Sequence, residues 1–275
     1  MKKTKINTRF AIGLGLFIAI LILGFIVPLF APEDPQVWNT YRKNLLPSVD
    51  HILGTTGLGQ DTFWMLTWSL RNSLILGLVV AFFATLIGVI TGLLAGLKGG
   101  ILDRVLSLLM DAMIVIPILP ILILVGGLSE GRSSFILIIT VLVAFMWPWS
   151  ARQIRSVALG IRENEFISTA MFSGEGTIKI LFREIFPYIS GWTLGSLINL
   201  VLVAITIESG LALIGLSSLS KATLGTMIYW AQKHMAILAG RTWWYAPPII
   251  AIILLFVTLF VLSTGYNDYI AKKRQ

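Results

Sequence analysis

Residues 10–30 read FAIGLGLFIAILILGFIVPLF, an unbroken run of 21 residues without a charge. A helix needs about 20 mostly apolar residues to cross the hydrocarbon core of a bilayer, so this run is predicted to span a membrane. Similar runs recur along the rest of the chain. The predicted spans are Phe10–Phe30, Leu74–Gly96, Val105–Gly127, Phe135–Ser150, Ile189–Ile214 and Ala246–Tyr266.

The overall composition supports the same interpretation. Of the 275 residues, 56% are hydrophobic and 12% are charged, and the mean hydropathy is +0.88. Soluble domains carry about 25% charged residues, and disordered chains carry few apolar ones, so both classes are excluded. The absence of Cys excludes a disulfide scaffold and a cysteine zinc site. Because open strands would leave backbone groups unpaired in lipid, we predict an all-α polytopic membrane protein with six transmembrane helices.

The basic residues indicate an orientation in the membrane. If the N-terminus is cytoplasmic, about two thirds of the Lys and Arg residues fall on the cytoplasmic side, as the positive-inside rule requires. Both termini are then expected in the cytoplasm, and the net charge of +8 needs no nucleic-acid partner. The first apolar run exceeds the 7–15 residues of a signal peptide, which favours an uncleaved anchor.

The sequence lacks the short motifs that mark nucleotide, metal or nucleophilic chemistry. It contains no GxxxxGK[ST] phosphate loop, no HExxH and no GxSxG. The two histidines, His51 and His234, fall in predicted outer segments and have no obvious partners for binding a metal. We therefore expect no catalytic residue, no metal site and no cofactor bound by this chain.

The segment between the fourth and fifth predicted spans is too long for a simple connection. Apolar residues recur in it at helical spacing on both sides of Gly174, and Pro187 interrupts the pattern before the fifth span. This pattern alone leaves two interpretations open: a helix pair resting on lipid headgroups, or a docking element for a cytosolic partner. The apolar positions are Phe166, Ile167, Ala170, Met171, Ile178, Leu181, Phe182, Ile185 and Phe186.

The segment 165–187 resembles the cytoplasmic coupling loop, or EAA loop, of ABC-importer permeases. In that family a Glu-Ala-Ala triplet is followed by three residues and a Gly, with a Pro thirteen positions after the Gly. Ser168-Thr169-Ala170 holds the triplet here, and Gly174 and Pro187 fit the spacing, whereas Ser and Thr replace the Glu and the first Ala. The resemblance implies that the residues coupling the chain to an ATPase are Phe166, Ser168, Thr169, Ala170, Gly174, Ile178, Phe182 and Pro187.

Further motifs, in the right order, make the chain similar to the dipeptide/oligopeptide permease family. They are residues 51–61 (HILGTTGLGQD), Arg71-Asn72-Ser73-Leu74, residues 99–104 (GGILDR), Met110-Asp111, Pro117, Trp149 to Arg155, Glu208-Ser209-Gly210-Leu211, Ile214-Gly215-Leu216 and Leu224-Gly225. The single long outer loop after the first span resembles the second of the two permeases in such transporters.

The resemblance implies a type I ABC importer permease fold and a function in ATP-driven import. The expected partners are a second homologous permease, two cytosolic ATPases that carry the ATP and Mg, and an extracytoplasmic binding protein, in the cell membrane of a prokaryote. Peptides are the favoured substrate, with oligosaccharides and nickel complexes as alternatives. The rivals from other classes are a stand-alone secondary transporter and a non-transporting membrane scaffold that docks a cytosolic protein. A secondary transporter leaves the segment 165–187 unexplained, and a scaffold leaves the intramembrane Asp111 and Glu208 unexplained.

This scheme divides the chain into three parts. Residues 1–70 are expected to form an anchor helix and an extracytoplasmic loop. Residues 71–267 form a five-helix permease core, with the coupling loop at 152–187, and residues 268–275 form a basic cytoplasmic tail. The first span is expected to pack on the outside of the core.

Two acidic residues, Asp111 and Glu208, fall inside predicted spans. A charge near the middle of a bilayer costs at least about 2.5–3.5 kcal/mol, so each is expected to face protein or water. One interpretation places them along the translocation path or in a gate. The other is a structural hydrogen bond, for example to a Ser.

Two further patterns predict helix packing. Small residues at a spacing of about four in the second span predict close contact with another helix; they are Gly77, Ala81, Thr85, Gly88, Gly92 and Gly96. In the outer segment 217–245, apolar residues at helical spacing predict an amphipathic helix; they are Leu224, Met227, Ile228, Ala231, Met235 and Leu238.

Overall fold

The computed structural model describes residues 8–128, 134–162 and 185–274, and these ranges are built mainly from helices. In chain order the helices are α1 (Thr8–Leu21, continued by a π-helical turn Ile22–Ile26 and a 3-10 turn Val27–Phe30), α2 (Thr62–Lys98), α3 (Gly100–Val115), α4 (Ile118–Leu128), α5 (Phe135–Arg162), α6 (Phe186–Leu213), α7 (Leu224–Lys233) and α8 (Thr242–Arg274).

Within the described ranges, five of these segments are long and apolar enough to cross a membrane on their own. They are Thr8–Phe30, α2, α5, α6 and α8. Helices α3 and α4 qualify as a sixth candidate span when they are taken together, and they are bent by 68° at the break between them. The predicted all-α class is thereby confirmed, and the chain is a multi-pass membrane protein.

The third predicted span, Val105–Gly127, is wrong as a continuous helix. Helix α3 ends at Val115, and Ile116 takes extended backbone angles (φ −71°, ψ 118°) directly before Pro117. A proline clashes with a helical conformation at the residue before it and has no N–H to continue the hydrogen-bond ladder. The span therefore consists of two helices that meet at an angle.

The fourth predicted span, Phe135–Ser150, is wrong at its second end. Helix α5 continues through Pro148 to Arg162. The extension beyond Ser150 buries Ala151, Ile154 and Ala158, and this packing outweighs the one hydrogen bond that an internal proline removes. The first part of the segment 152–187, expected as a coupling loop, is thus a helical continuation of α5.

Helix α2 is the centre of the bundle. Its 37 residues pack against α5 and α6, and the predicted close contact through small residues is confirmed on the α5 side. A Cβ added at Gly88 would meet the Ser150 Cβ at 2.5 Å, and one at Gly92 would meet the Ala151 backbone oxygen at 2.5 Å. Only glycine at these positions lets the two backbones approach so closely.

Helix α1 lies against α8 at the side of the bundle. A Cβ at Gly13 would meet the Leu262 backbone nitrogen at 2.7 Å, and one at Gly265 would meet the Phe10 backbone nitrogen at 2.6 Å. The Phe10 ring also stacks on Tyr269 with a centroid distance of 5.9 Å. Most of the remaining surface of α1 is exposed and apolar, as expected for a helix that faces lipid.

One end of the bundle is covered by residues 31–61 and α7, and we call it the capped end. At the opposite end, formed by residues 97–104 and 155–162, the described part of the chain provides no such cover, and we call it the open end. Asp61 begins α2, since its Oδ1 accepts hydrogen bonds from the Phe63 and Trp64 backbone N–H groups at 2.9 and 3.1 Å. Trp243 ties the cap to α8 through a hydrogen bond from its Nε1 to the Thr55 carbonyl.

Helix α7 is the amphipathic helix predicted in the segment 217–245, but it is shorter than the pattern indicates. It begins at a capping box in which Thr223 and Thr226 each accept a hydrogen bond from the backbone of the other. It ends at Lys233, and Met235 follows in a left-handed conformation with φ 51°. Met235 and Leu238 therefore lie beyond the helix, and both are exposed.

Candidate functional site

A cavity of about 420 Å³ opens where α3 and α4 meet. Asn199, which lines it, is at the middle of α6, about 20 Å from either end at 1.5 Å per residue. The cavity thus lies near the middle of the span. Its lining residues are Met113, Ile114, Ile116, Pro117, Ile118, Phe145, Met146, Trp149, Gln153, Ser196, Asn199, Leu200, Val203 and Ile207.

The break at Ile116 and Pro117 creates this cavity. Each helix end at the break leaves backbone N–H or C=O groups without partners inside the helix. Such groups are tolerated at membrane depth only where protein or water covers them. The broken span therefore marks the side of the bundle that does not face lipid.

The polar lining of the cavity consists of neutral hydrogen-bonding groups. Gln153, Ser196 and Asn199 supply them, and Ser196 shares a hydrogen bond of 2.7 Å with Ser150. None of the lining residues in the described part of the chain is acidic, basic or a histidine. The cavity can accordingly hold an uncharged group that offers hydrogen bonds, and the apolar remainder suits aliphatic or aromatic side chains.

Two ion pairs join α3 to α5 between the cavity and the open end. Arg155 donates to both carboxylate oxygens of Asp103, with 2.8 Å between Nη2 and Oδ2, a fork geometry typical of strong arginine–carboxylate pairs. Arg152 Nη2 lies 3.0 Å from Asp111 Oδ1, with both side chains more than half exposed. Asp111 thus lies on an exposed face of α3, two residues before Met113, which lines the cavity.

Glu208 lies near the capped end, in an enclosed setting. Its side chain is completely buried. Its Oε1 accepts hydrogen bonds from the Ser217 hydroxyl at 2.8 Å and from the Thr223 hydroxyl at 2.9 Å, whereas Oε2 has no hydrogen-bond partner. The carboxylate thereby holds the segment that leads from α6 into α7.

The structure does not bring the predicted functional residues into one site. Asp111 and Glu208 belong to opposite halves of the bundle, and neither lines the cavity. Pro187 lies at the first turn of α6, where a proline is favoured because its missing N–H would be unpaired there anyway. The other predicted coupling residues lie outside the described residues: Phe166, Ser168, Thr169, Ala170, Gly174, Ile178 and Phe182.

Gln153 and Asn199, which line the cavity, are not among the functional residues predicted from the sequence. Trp147 is buried in the core, whereas Trp149 is 57% exposed and lines the cavity. A signal was present in the sequence, because an amide side chain at Asn199 and a proline at 117 both interrupt apolar runs. Their convergence depends on how α3, α5 and α6 pack, which no single run indicates.

Comparison with known proteins bears on what this cavity does. Residues 88–275 match the family described as "Binding-protein-dependent transport system inner membrane component". The oligopeptide transport system permease protein OppC of Mycobacterium bovis is 26% identical, over 91% of this chain and 86% of its own length. OppC of Lactococcus lactis is also 26% identical, over 94% of this chain and 88% of its own length.

A further relative and a solved structure are also similar to this chain. The nickel transport system permease protein NikC of Escherichia coli is 26% identical, over 89% of this chain and 85% of its own length. A chain of the MetNI methionine ABC transporter, solved in inward facing conformations, superposes with a TM-score of 0.58 at 18% identity, covering 76% of this chain and 96% of that one. This likeness shows the fold, that of a type I ABC permease.

Proposed function

Because the chain belongs to the family of binding-protein-dependent transport system inner membrane components, we propose that it is the permease subunit of an ATP-driven importer of peptides. The family match over residues 88–275 carries this proposal. The two relatives named as oligopeptide permeases support peptides as the substrate. The chain conducts substrate and does not itself hydrolyse ATP.

The proposed assembly contains a second homologous permease, two cytosolic ATPases and an extracytoplasmic binding protein, in the cytoplasmic membrane of a prokaryote. The open end and both termini face the cytoplasm, and the capped end faces outward. The distribution of Lys and Arg supports this orientation. The segment 165–187 is the element that the ATPase contacts. Gly174 serves as a joint in it, because glycine tolerates backbone angles closed to other residues.

The mid-membrane cavity is the proposed contribution of this chain to the translocation path. An exposed Asp111–Arg152 pair, an exposed Gln153 and a broken span are all costly in contact with lipid. The second permease therefore covers this face, and the path runs between the two subunits. Asp111 lies where a gate on the cytoplasmic side would be. The two hydroxyl bonds to Glu208 favour its structural interpretation.

The cavity chemistry also bears on the choice of substrate. Amide and hydroxyl groups complement the peptide backbone, which offers one N–H and one C=O per residue. A nickel complex remains the second candidate substrate, because NikC is a relative of similar sequence identity. The amide and hydroxyl groups of the lining support peptides as the first candidate.

Affinity purification of the tagged chain from native membranes tests the proposal. The expected complex contains one homologous permease and two copies of an ATPase for each copy of this chain. Proteoliposomes made from that complex should take up a labelled oligopeptide only with ATP inside and binding protein outside. A homomeric assembly without a nucleotide-binding partner would contradict the proposal and favour a secondary transporter or a scaffold.

A further inference from the structure

The capped end carries a second pocket, of about 210 Å³, between the segment 31–61 and the start of α7. We call it the Lys221 pocket. Lys221 lines it beside the rings of Trp38 and Trp230, which meet edge to face at a centroid distance of 5.3 Å. Trp38 is 50% exposed. Lys221 is exposed and forms no ion pair within the described part of the chain.

The frame of this pocket is rigid. The buried Gln60 side chain donates from Nε2 to the carbonyls of Pro35 and Gln36, at 3.0 and 3.1 Å. The Gln36 side chain in turn accepts a hydrogen bond of 2.9 Å from the Ala222 backbone N–H. These bonds join residues far apart in sequence, so the pocket is formed before any partner arrives, which lowers the entropy cost of binding.

The position of the pocket along α2 indicates that it lies outside the hydrocarbon core of the membrane, whose start in this helix is predicted at Leu74. Met65, one of its lining residues, precedes the start of the apolar run at Leu74 by about 13 Å of helix α2. The headgroup layer on each side of a bilayer is only about 5–8 Å thick. Lipid therefore does not account for the exposed Trp38 or for the unpaired Lys221.

The floor of the pocket is connected to the transmembrane helices. Asn72 of α2 donates from Nδ2 to the Ala222 carbonyl at 2.7 Å. The next residue, Thr223, donates from its hydroxyl to Glu208 of α6, and the Leu224 N–H donates to the Ser73 hydroxyl at 3.0 Å. The segment that follows Lys221 is thus hydrogen-bonded directly to both α2 and α6.

We propose that the Lys221 pocket docks a carboxylate side chain of the extracytoplasmic binding protein. Among the described residues, Lys221 is the only charged group that lines the pocket, so its charge complements an acidic partner. The two tryptophans supply the aromatic contact area typical of interface anchors. This inference rests on the proposed function, because that function is what supplies a binding protein.

The test measures the Kd between the assembled transporter, in nanodiscs of neutral lipid, and the substrate-binding protein that copurifies with it. We expect Lys221→Gln to raise the Kd about threefold to tenfold and to reduce its salt dependence. Trp38→Ala should raise it about tenfold. The matched control is Lys233→Gln at the far end of α7, outside the pocket, which should change the Kd less than about twofold.

A charge swap sharpens the test. Lys221→Glu should weaken docking further, and one acidic-to-Lys substitution on the binding protein should restore it. An unchanged Kd in both Lys221→Gln and Trp38→Ala would overturn the proposed role of the Lys221 pocket but not the proposed function. An effect of Lys221→Gln seen only in anionic lipid assigns the pocket to a lipid phosphate and also overturns it. If the unaltered transporter binds no such protein, the proposed function fails as well.

Discussion

Glu208 shows how a single buried carboxylate can hold two elements together. One of its oxygens receives the hydroxyl bonds of Ser217 and Thr223, and Thr223 is also the residue that caps α7. Next to it, Gly225 packs on α6 so closely that a Cβ would lie 2.6 Å from the Ser209 Cα. The motifs around Glu208 and Leu224 that resemble the family therefore converge on one junction.

Removing this carboxylate should loosen that junction. We expect Glu208→Ala to lower the free energy of unfolding by about 2–5 kcal/mol, because two buried hydroxyls lose their acceptor. Glu208→Gln, which keeps an acceptor oxygen, should cost less than about 1 kcal/mol. Thermal unfolding of the purified complex measures both, with Glu33→Gln at the exposed cap as the control. Equal losses in the Ala and Gln variants would show that the hydroxyl bonds are not what matters.

The glycines of α2 allow a second test with single substitutions. Gly92→Ala places a methyl group 2.5 Å from the Ala151 backbone oxygen, so α2 and α5 must move apart. We expect a loss of about 1–3 kcal/mol in the free energy of unfolding. Gly15→Ala in α1, where nothing lies within 4 Å of the added atom, should leave stability unchanged or slightly raised. Thermal unfolding compares the two, and equal behaviour would refute the close packing.

Among the helices, the bend between α3 and α4 is the feature that forms the cavity. Pro117→Ala removes the clash that keeps Ile116 extended and restores an N–H, so the two helices should partly join. If they joined completely, the distance between the helix axes at Leu108 and Leu124 would increase by about 4 Å, as calculated from the helical rise and the 68° bend. Peptide transport should fall, because a straight helix closes the cavity.

Spin labels at Leu108→Cys and Leu124→Cys can measure this change, because both residues are exposed and the chain has no cysteine of its own. Pro148→Ala in α5 is the matched control. Helix α5 already continues through Pro148, so labels on its two halves should keep their separation. An unchanged distance across Pro117→Ala would mean that packing, and not the proline, sets the bend.

These two prolines also show how far a sequence argument reaches. Hydropathy correctly identifies both segments as spans, since length and apolar character are local properties. It does not tell which proline breaks its helix. Pro148 is flanked by residues that pack on α2, whereas Pro117 faces a cavity with little to hold the helix straight. That difference lies in tertiary contacts, and for the same reason Gln153 and Asn199 were not foreseen as neighbours.

Helix α7 was predicted correctly from the spacing of its apolar residues, but it ends earlier than that spacing indicates. The spacing of Leu224, Met227 and Ala231 reflects one buried face, and all three are buried. The same spacing continues to Met235, but the left-handed conformation there ends the helix. Apolar residues beyond the end of a helix can continue the helical spacing by coincidence. The pattern therefore predicts the presence of α7 better than it predicts its last residue.

For the molecule as a whole, the faces of the bundle are chemically unequal. Phe82, Phe83 and Ile90 of α2 are exposed and entirely apolar, as contact with lipid requires. The face with the cavity carries instead an exposed ion pair and an exposed Gln153. A subunit shaped in this way is incomplete alone, which agrees with a permease that works in a pair.

The central claim is that an ATPase drives this subunit through the segment 165–187. Replacing Gly174 by Leu should leave the complex assembled but lower substrate-stimulated ATP hydrolysis and peptide uptake by at least about tenfold, or 1.4 kcal/mol in activation free energy. Gly127→Leu, at an open position in α4, is the control and should retain both activities.

The decisive measurement is peptide uptake and ATP hydrolysis by the reconstituted Gly174→Leu complex in proteoliposomes, after its subunit composition has been verified. Our account predicts a complete complex that hydrolyses ATP at its basal rate and no longer responds to the loaded binding protein. Uptake at the rate of the unaltered complex would contradict it.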